Sequence, residues 1–547
     1  MPTSAIPPAH IAIVGCGFTG TAAFFQLVER HPVRELTIFE SSGRFGPGYA
    51  YQPDECTDYL INNTTDTMCL VPGNRRAFIE WLQHHPEHAT QVDPKGHLPR
   101  TVYGAFLLDV MRSTLTLAAI KGIRVNCIAA EVTRLREDGA GVELGWAHGT
   151  VRADVALLTT GRCPDLQAFP APPAGSALRY IATHIATDAF TDLPLDARCH
   201  VLGTSLSAYD VVNRLFSPET GCRFQPDATG ALSFVPGPNA RHVVLGSRSG
   251  RLKKMQSLMP RAVRRQHFVP ERLETLAHTG RLTMTALLEL IQAEARAHQV
   301  DVDWLAVVDP YSQCTTADEV TRRAGELLAA DIKAATSGEG RNFLVDLASD
   351  AQVDLWDGFA RHWLPAAEER YYRTKVETAL QSFAAPCPVP TARRLLALHR
   401  AGRLEVRRGV GAVTLHDSAT HYRVPHADGV DDAQVVINAT GAVDRWVRSD
   451  GQSPLVASLR EAGLLRPYSR DGAELPGADV DLANFRARGS RHVYVANMFL
   501  WGPGFFTSSA FMMATIVERL LDQMFAAVRA CGSRPPQQKP SRQNDAS

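Results

Sequence analysis

His10-Ile-Ala-Ile-Val-Gly15-Cys-Gly17-Phe-Thr-Gly20 opens the chain's readable structure, and Leu36-Thr-Ile-Phe-Glu40 closes the unit that it begins. An apolar strand runs into G-x-G-x-x-G, a helix-like run follows, and a second strand ends in a carboxylate. That order is the context in which the glycine pattern signals a dinucleotide site. Gly15 permits the tight turn, Gly17 lets backbone approach a pyrophosphate, and Gly20 allows close helix–strand packing. The helix start then offers free N–H groups to phosphate. Glu40 is placed to accept hydrogen bonds from ribose hydroxyls and to repel a 2′-phosphate. A glycine-rich turn in some other α/β protein is the competing reading.

A related unit starts at Cys199-His-Val-Leu-Gly203-Thr-Ser205-Leu-Ser207-Ala208. Here Ser205 stands where the fingerprint has its second glycine, so backbone cannot approach a ligand as closely. The following strand, His242–Gly246, ends without an acid. Its tip carries Arg248, Arg251, Lys253 and Lys254, the cations that a 2′-phosphate requires, which assigns NADPH to this unit. A solvated basic loop after a structural βαβ unit is the alternative.

The rest of the chain is consistent with an ordinary globular protein. It has 547 residues, 45% hydrophobic and 21% charged, with Lys+Arg and Asp+Glu both at 57. Zero net charge gives no reason to expect nucleic acid or a membrane surface as partner. No apolar run approaches a membrane span and no leader is legible, so a cytoplasmic protein is expected. The ten cysteines are scattered, with none in C-x-x-C spacing. That argues against zinc-ribbon, iron–sulfur and flavin disulfide reductase chemistry. His84, His85 and His88 fall in a polar stretch that reads as surface; no metal site is expected.

Two apolar strands stop at Thr-Gly, at Gly161 and at Gly441. Residues 262–400 read as mostly helical, with helices over Glu271–His278, Met284–His298, Ala317–Ala334, Asp354–Ala385 and Ala392–Ala401. A final strand leads through Trp501-Gly502-Pro-Gly504-Phe-Phe-Thr507-Ser508-Ser509-Ala510 into an apolar helix. The expected fold is α/β, two Rossmann-like dinucleotide-binding domains with a helical insertion. The divisions are 1–165 (first part of an FAD domain), 166–261 (first part of an NADPH domain), 262–400 (helical cover), 401–531 (return through the NADPH domain and completion of the FAD domain) and a disordered tail, 532–547.

Phe45-Gly-Pro-Gly48-Tyr49-Ala-Tyr51, Tyr59-Leu-Ile-Asn62-Asn63 and Leu355-Trp-Asp…Arg361…Arg370-Tyr-Tyr-Arg373, added to the two nucleotide units, resemble the FAD-NAD(P)-binding subgroup of two-dinucleotide-domain flavoproteins. That subgroup includes the aspartate N-monooxygenases. The resemblance implies FAD with its pyrophosphate on Gly15, Gly17 and Gly20 and its ring near Gly48, Tyr49, Asn62 and Asn63. The start of the last helix, at Thr507 and Ser508, would face the flavin. It further implies a monooxygenase that uses NADPH and O2, forms a flavin C4a-hydroperoxide and N-oxygenates a small amino acid, aspartate first. Arg370, Arg373 and Lys375 are candidate carboxylate anchors, and Ser509 a candidate substrate donor. No catalytic residue follows from a motif. Ketone or sulfide oxygenation, a flavin reductase or electron-transfer role, and a nucleotide-sensing scaffold remain as alternatives, and a homo-oligomer stays open.

Overall fold

A computed structural model describes residues 9–185, 187–258, 262–336, 342–418, 420–505 and 509–526. The tail from residue 527, with Thr507 and Ser508, lies outside them. Two sheets, one mainly and one wholly parallel, organise the chain. The first has seven strands in the order Val480–Asp481, Arg486–Ala487, Val493–Val495, Val155–Leu158, His10–Val14, Glu35–Phe39 and Arg124–Ile128. The last five run parallel, with Ile11 opposite both Leu36 and Val155. Their central strands are buried on both faces and predominantly apolar, with Thr37 a buried polar exception. Helices Phe18–Arg30, Arg100–Ile120 and Ala510–Met524 pack together beside the sheet. An antiparallel sheet of Arg134–Asp138, Gly141–Trp146 and Gly149–Ala153 adds Trp146, edge-on to Phe39 at 5.3 Å.

The second sheet is wholly parallel, in the order Leu404–Arg407, His242–Gly246, Arg198–Leu202, Val435–Asn438 and Arg179–Ile181. Val211, Leu215, Leu328, Leu395 and Leu398, from three helices, fill one core with it. Tyr422 and Val424, from a second antiparallel sheet, form another with Leu202 and Val436.

The helical stretch does not form a separate layer. Val320, Leu328, Ile332 and Val389 belong to the second unit's core, whereas Phe343, Trp356, Phe359 and Tyr372 belong to the first's. The single helix expected over Asp354–Ala385 is broken. Gln352–Ala360 ends before His362, which has φ 56°, and Pro365 precedes the next helix. That helix then widens into a π turn over Tyr372–Val376. Short helices Trp304–Val308 and Phe343–Asp350, unread in the sequence, fill the gaps.

Among the described residues one helix, Arg100–Ile120, is by length and composition long and apolar enough to cross a membrane, which corrects the expectation that no run approaches that length. It buries Tyr103, Phe106 and Leu107 in a core with Phe78 and Ile61, and it begins on a buried ion pair.

The chain passes between the units beside the carboxyl ends of two central strands. Asp165 and Val443 form a bridge there, and Asp444 N–H donates to the Pro164 carbonyl at 2.8 Å. The Thr160-Gly161 and Thr440-Gly441 strand ends are thereby brought to one crevice, the place where open parallel sheets bind ligands.

Candidate functional site

In the first glycine turn, Gly15 has φ 95°, and a Cβ there would lie 2.7 Å from the Thr159 carbonyl oxygen. At Gly20 a Cβ would lie 2.0 Å from the Gly15 oxygen. Both glycines are therefore required by the protein's own backbone. Gly17 serves a contact the motif alone does not reveal: its added Cβ would sit 3.0 Å from Gly48 Cα, and that of Gly48 (φ 57°) 2.6 Å from Gly17 Cα. The Phe45–Tyr51 loop thus lies directly on the turn. Gly17 caps helix Phe18–Arg30 with no side-chain cap and no acid in the first turn, leaving its positive end to a ligand. Glu40 closes the turn: its carboxylate accepts from Cys16 N–H at 2.9 Å and from Ser42 N–H and Oγ–H at 3.1 and 2.8 Å. A carboxylate has lone pairs to spare for ribose hydroxyls.

Tyr49 is 43% exposed, its hydroxyl 3.3 Å from Thr183 Oγ1 and its ring 5.2 Å from the Arg162 guanidinium. The half-buried Asn62 and Asn63 side chains make no hydrogen bond among the described residues. Their neighbour Ile61 shares a core with Ala22 of the first helix and Ala510 of the last, which draws these three segments together. Gly161 (φ 68°) has open space where a Cβ would point. Uncapped helix end, spare carboxylate capacity, free amides and open glycine fit an FAD.

At the second turn, Gly203 (φ 134°) would carry a Cβ 2.3 Å from the Ala439 oxygen. Ser205, at φ −120°, makes no capping hydrogen bond and leaves the start of Leu206–Leu215 uncapped. Gly441 has φ 64° and lies against Ser207. The cation cluster expected beyond His242–Gly246 is dispersed. Arg251 donates to the Val307 and Val308 carbonyls at 2.7 Å each, Lys253 to that of Gln381 at 2.7 Å, and Lys254 pairs with Asp331 at 3.1 Å. Burial pushes the Lys253 ammonium down to about 8. Of the four, Arg248 alone is exposed and makes no side-chain bond among the described residues.

The proposed substrate anchors are placed differently from expectation. Arg373 does sit at the Gly502–Gly504 turn, but its donors are taken. It bonds the Gly502 and Gly504 carbonyls at 2.6 and 2.9 Å and Glu377 at 3.0 Å, and it stacks on Phe359. It is a tether of the turn. Arg370 and Lys375 are exposed on the outer surface of that helix. Ser509 caps the last helix, accepting from Met512 N–H at 3.1 Å, which leaves its O–H as a donor.

Two arginines missed by the motif reading follow the strand ends beside the crevice. Arg162 directly follows Gly161, and Arg445 lies four residues beyond Gly441, its guanidinium 5.1 Å from the Trp501 ring centre. The signal for both was position: a cation just past the carboxyl end of a parallel strand. Between them, burial pushes the Cys163 thiol up to about 12, and that of Cys16 likewise to about 12. Both stay protonated at neutral pH and are poor nucleophiles. Across the crevice Arg100 pairs with Asp210 at 2.7 Å, and Tyr59 O–H donates to the His184 carbonyl at 3.4 Å. Burial, then the cations Arg162 and Arg100, hold the His184 imidazole down to about 3.

Comparison with known proteins places this geometry. Residues 12–163 match a family model described as FAD-NAD(P)-binding. They form an FAD/NAD(P)-binding unit. Over 510 residues the chain is 22% identical to YdhS, an uncharacterised protein of Escherichia coli K12, covering 86% of this chain and 88% of that one. Among solved structures, the ornithine N-hydroxylase of Kutzneria sp. 744, determined with reduced FAD, NADP+ and L-ornithine, is similar over 95% of this chain and 99% of its own. The identity is 14% and the TM-score 0.55. The likeness shows a common fold across both nucleotide units.

Proposed function

We propose that the protein is an FAD- and NADPH-dependent monooxygenase that N-oxygenates a small amino acid, with aspartate the first substrate to test. One observation carries the reading. The first glycine turn, the free Asn62–Asn63 amides and the start of the last helix converge, and both Thr-Gly strand ends open on the same crevice. The likeness to an ornithine N-hydroxylase supports it. The protonated Cys163 thiol disfavours disulfide exchange at this site.

Gly15, Gly17, Gly20 and Glu40 would hold the FAD diphosphate and ribose, Asn62 and Asn63 its ring, and Gly203, Ser205 and Arg248 the NADPH. Bound FAD supplies two-electron transfer from NADPH and activation of O2. The chain's own part is to exclude water, orient the amine and keep it unprotonated. The balance is NADPH, H+, O2 and R–NH2 giving NADP+, H2O and R–NHOH.

The test is NADPH consumption and product mass with FAD-loaded protein in air, across aspartate, ornithine, lysine, simple amines, a ketone and a sulfide. A hydroxylamine from an amino acid is the expected result. An oxygenated ketone or sulfide instead would keep the cofactors and move the substrate class. Peroxide alone with every compound would point to a reductase.

A further inference from the structure

Five charged side chains meet behind the Trp501–Gly504 turn. Arg470 pairs with Glu369 at 2.6 Å, and Arg373 pairs with Glu377 at 3.0 Å and lies 3.8 Å from Glu369. Glu377 also accepts from Trp501 Nε1 at 2.7 Å. The fifth is Arg445. Its half-buried guanidinium has no hydrogen bond and no ion pair among the described residues. Three guanidinium groups thus share two carboxylates, an excess of one positive charge in this cluster among the described residues, and Arg445 is the one that makes no ion pair. Burial, outweighing nearby Glu377, pushes the Arg445 pKa down, so an incoming anion would relieve the cost of its charge.

The backbone fixes this arginine firmly. Its carbonyl accepts from Gly477 N–H at 2.8 Å, and Gly477 lies so close to the turn that a Cβ there would come within 2.7 Å of Gly502 Cα. The residue before it is bonded to Pro164, next to Cys163. The backbone of Arg445 is therefore held beside the crevice, and its guanidinium lies over the Trp501 ring with its planar fork in place before any ligand arrives.

We propose that Arg445 is the carboxylate anchor of the substrate site: it binds one carboxylate of an amino acid through its free guanidinium edge, with Trp501 holding the guanidinium plane. The inference deepens the N-oxygenation reading and rests on it only for the identity of the ligand as substrate. Arg373, one of the candidates read from the sequence, has its donors taken by its bonds to the turn and to Glu377.

Calorimetry of FAD-loaded protein without NADPH tests it, using L-aspartate, L-ornithine, succinate and putrescine as probes. Wild type should bind at least one carboxylate compound, and ornithine about tenfold or more tighter than putrescine. Arg445→Ala and Arg445→Gln should both weaken carboxylate binding about tenfold or more, with Arg445→Lys in between. The flavin absorbance ratio reports whether each variant is folded. Unchanged carboxylate affinity in both neutral variants, or no carboxylate binding to wild type, overturns the proposal. The two readings fail separately. Arg445-dependent carboxylate binding with only peroxide as product would remove N-oxygenation and keep the anchor. Equal hydroxylation of putrescine and ornithine, indifferent to Arg445→Gln, would do the reverse.

Discussion

A close backbone contact at the phosphate turn is made by two glycines. Gly17 and Gly48 touch backbone to backbone, so a methyl group on either pushes the Phe45–Tyr51 loop off the phosphate turn. Gly48→Ala adds the strain of φ 57°, about 1–3 kcal/mol. Either substitution should lower FAD content about tenfold, read as flavin absorbance per protein after purification; full yellow colour in Gly48→Ala would refute this placement. Arg248 is the second residue whose part can be isolated. Arg248→Ala should raise the KM for NADPH about tenfold and leave that for NADH nearly unchanged, because only the 2′-phosphate is lost. Equal changes for both would move the 2′-phosphate site elsewhere. The glycines were legible because positive φ and missing Cβ atoms leave a pattern in sequence. Arg251, Lys253 and Lys254 were misread for the opposite reason. A run of cations looks the same whether its members face a phosphate or reach across to Val307, Gln381 and Asp331.

At the scale of elements, the two strand-and-turn units were legible because a short, mainly apolar strand buried on both faces runs directly into a glycine turn in each. The long helix over Asp354–Ala385 was misread although Pro365 lay inside it. The apolar period continues across the break, since both pieces pack on the same core. Partnership across the crevice left no mark at all: Arg100 and Asp210 are 110 residues apart in sequence and form a buried pair. Asp210→Ala strands the Arg100 charge and should cost about 3–5 kcal/mol, seen as a lower denaturation midpoint. The double variant Arg100→Met/Asp210→Leu should recover most of that loss. A single variant as stable as wild type would show that the pair does not join the units.

For the molecule as a whole, His184 makes the crevice sensitive to acid. Its pKa is held at about 3 in the folded protein against about 6.5 in an unfolded chain. A depressed base costs nothing above pH 6.5. As pH falls from 6.5 toward 3, the unfolded state takes up the proton that the folded state refuses. Stability from this residue therefore declines by up to about 1.4 kcal/mol per pH unit in that window. His184→Gln should flatten the fall in unfolding free energy between pH 6.5 and 4; an unchanged slope would mean that the imidazole is not buried between Arg162 and Arg100. The crevice itself is where two nucleotide units and a tethered aromatic turn come together beside an arginine with no ion pair among the described residues, and oxygen transfer to an amino nitrogen is what that assembly is proposed to perform. The decisive measurement is turnover under 18O2 with FAD-loaded protein, NADPH and the amino-acid panel, followed by mass analysis. N-oxygenation requires one labelled oxygen on the amino nitrogen for each hydroxylamine formed. Label found only in peroxide and water, with every amino acid recovered unchanged, would contradict it.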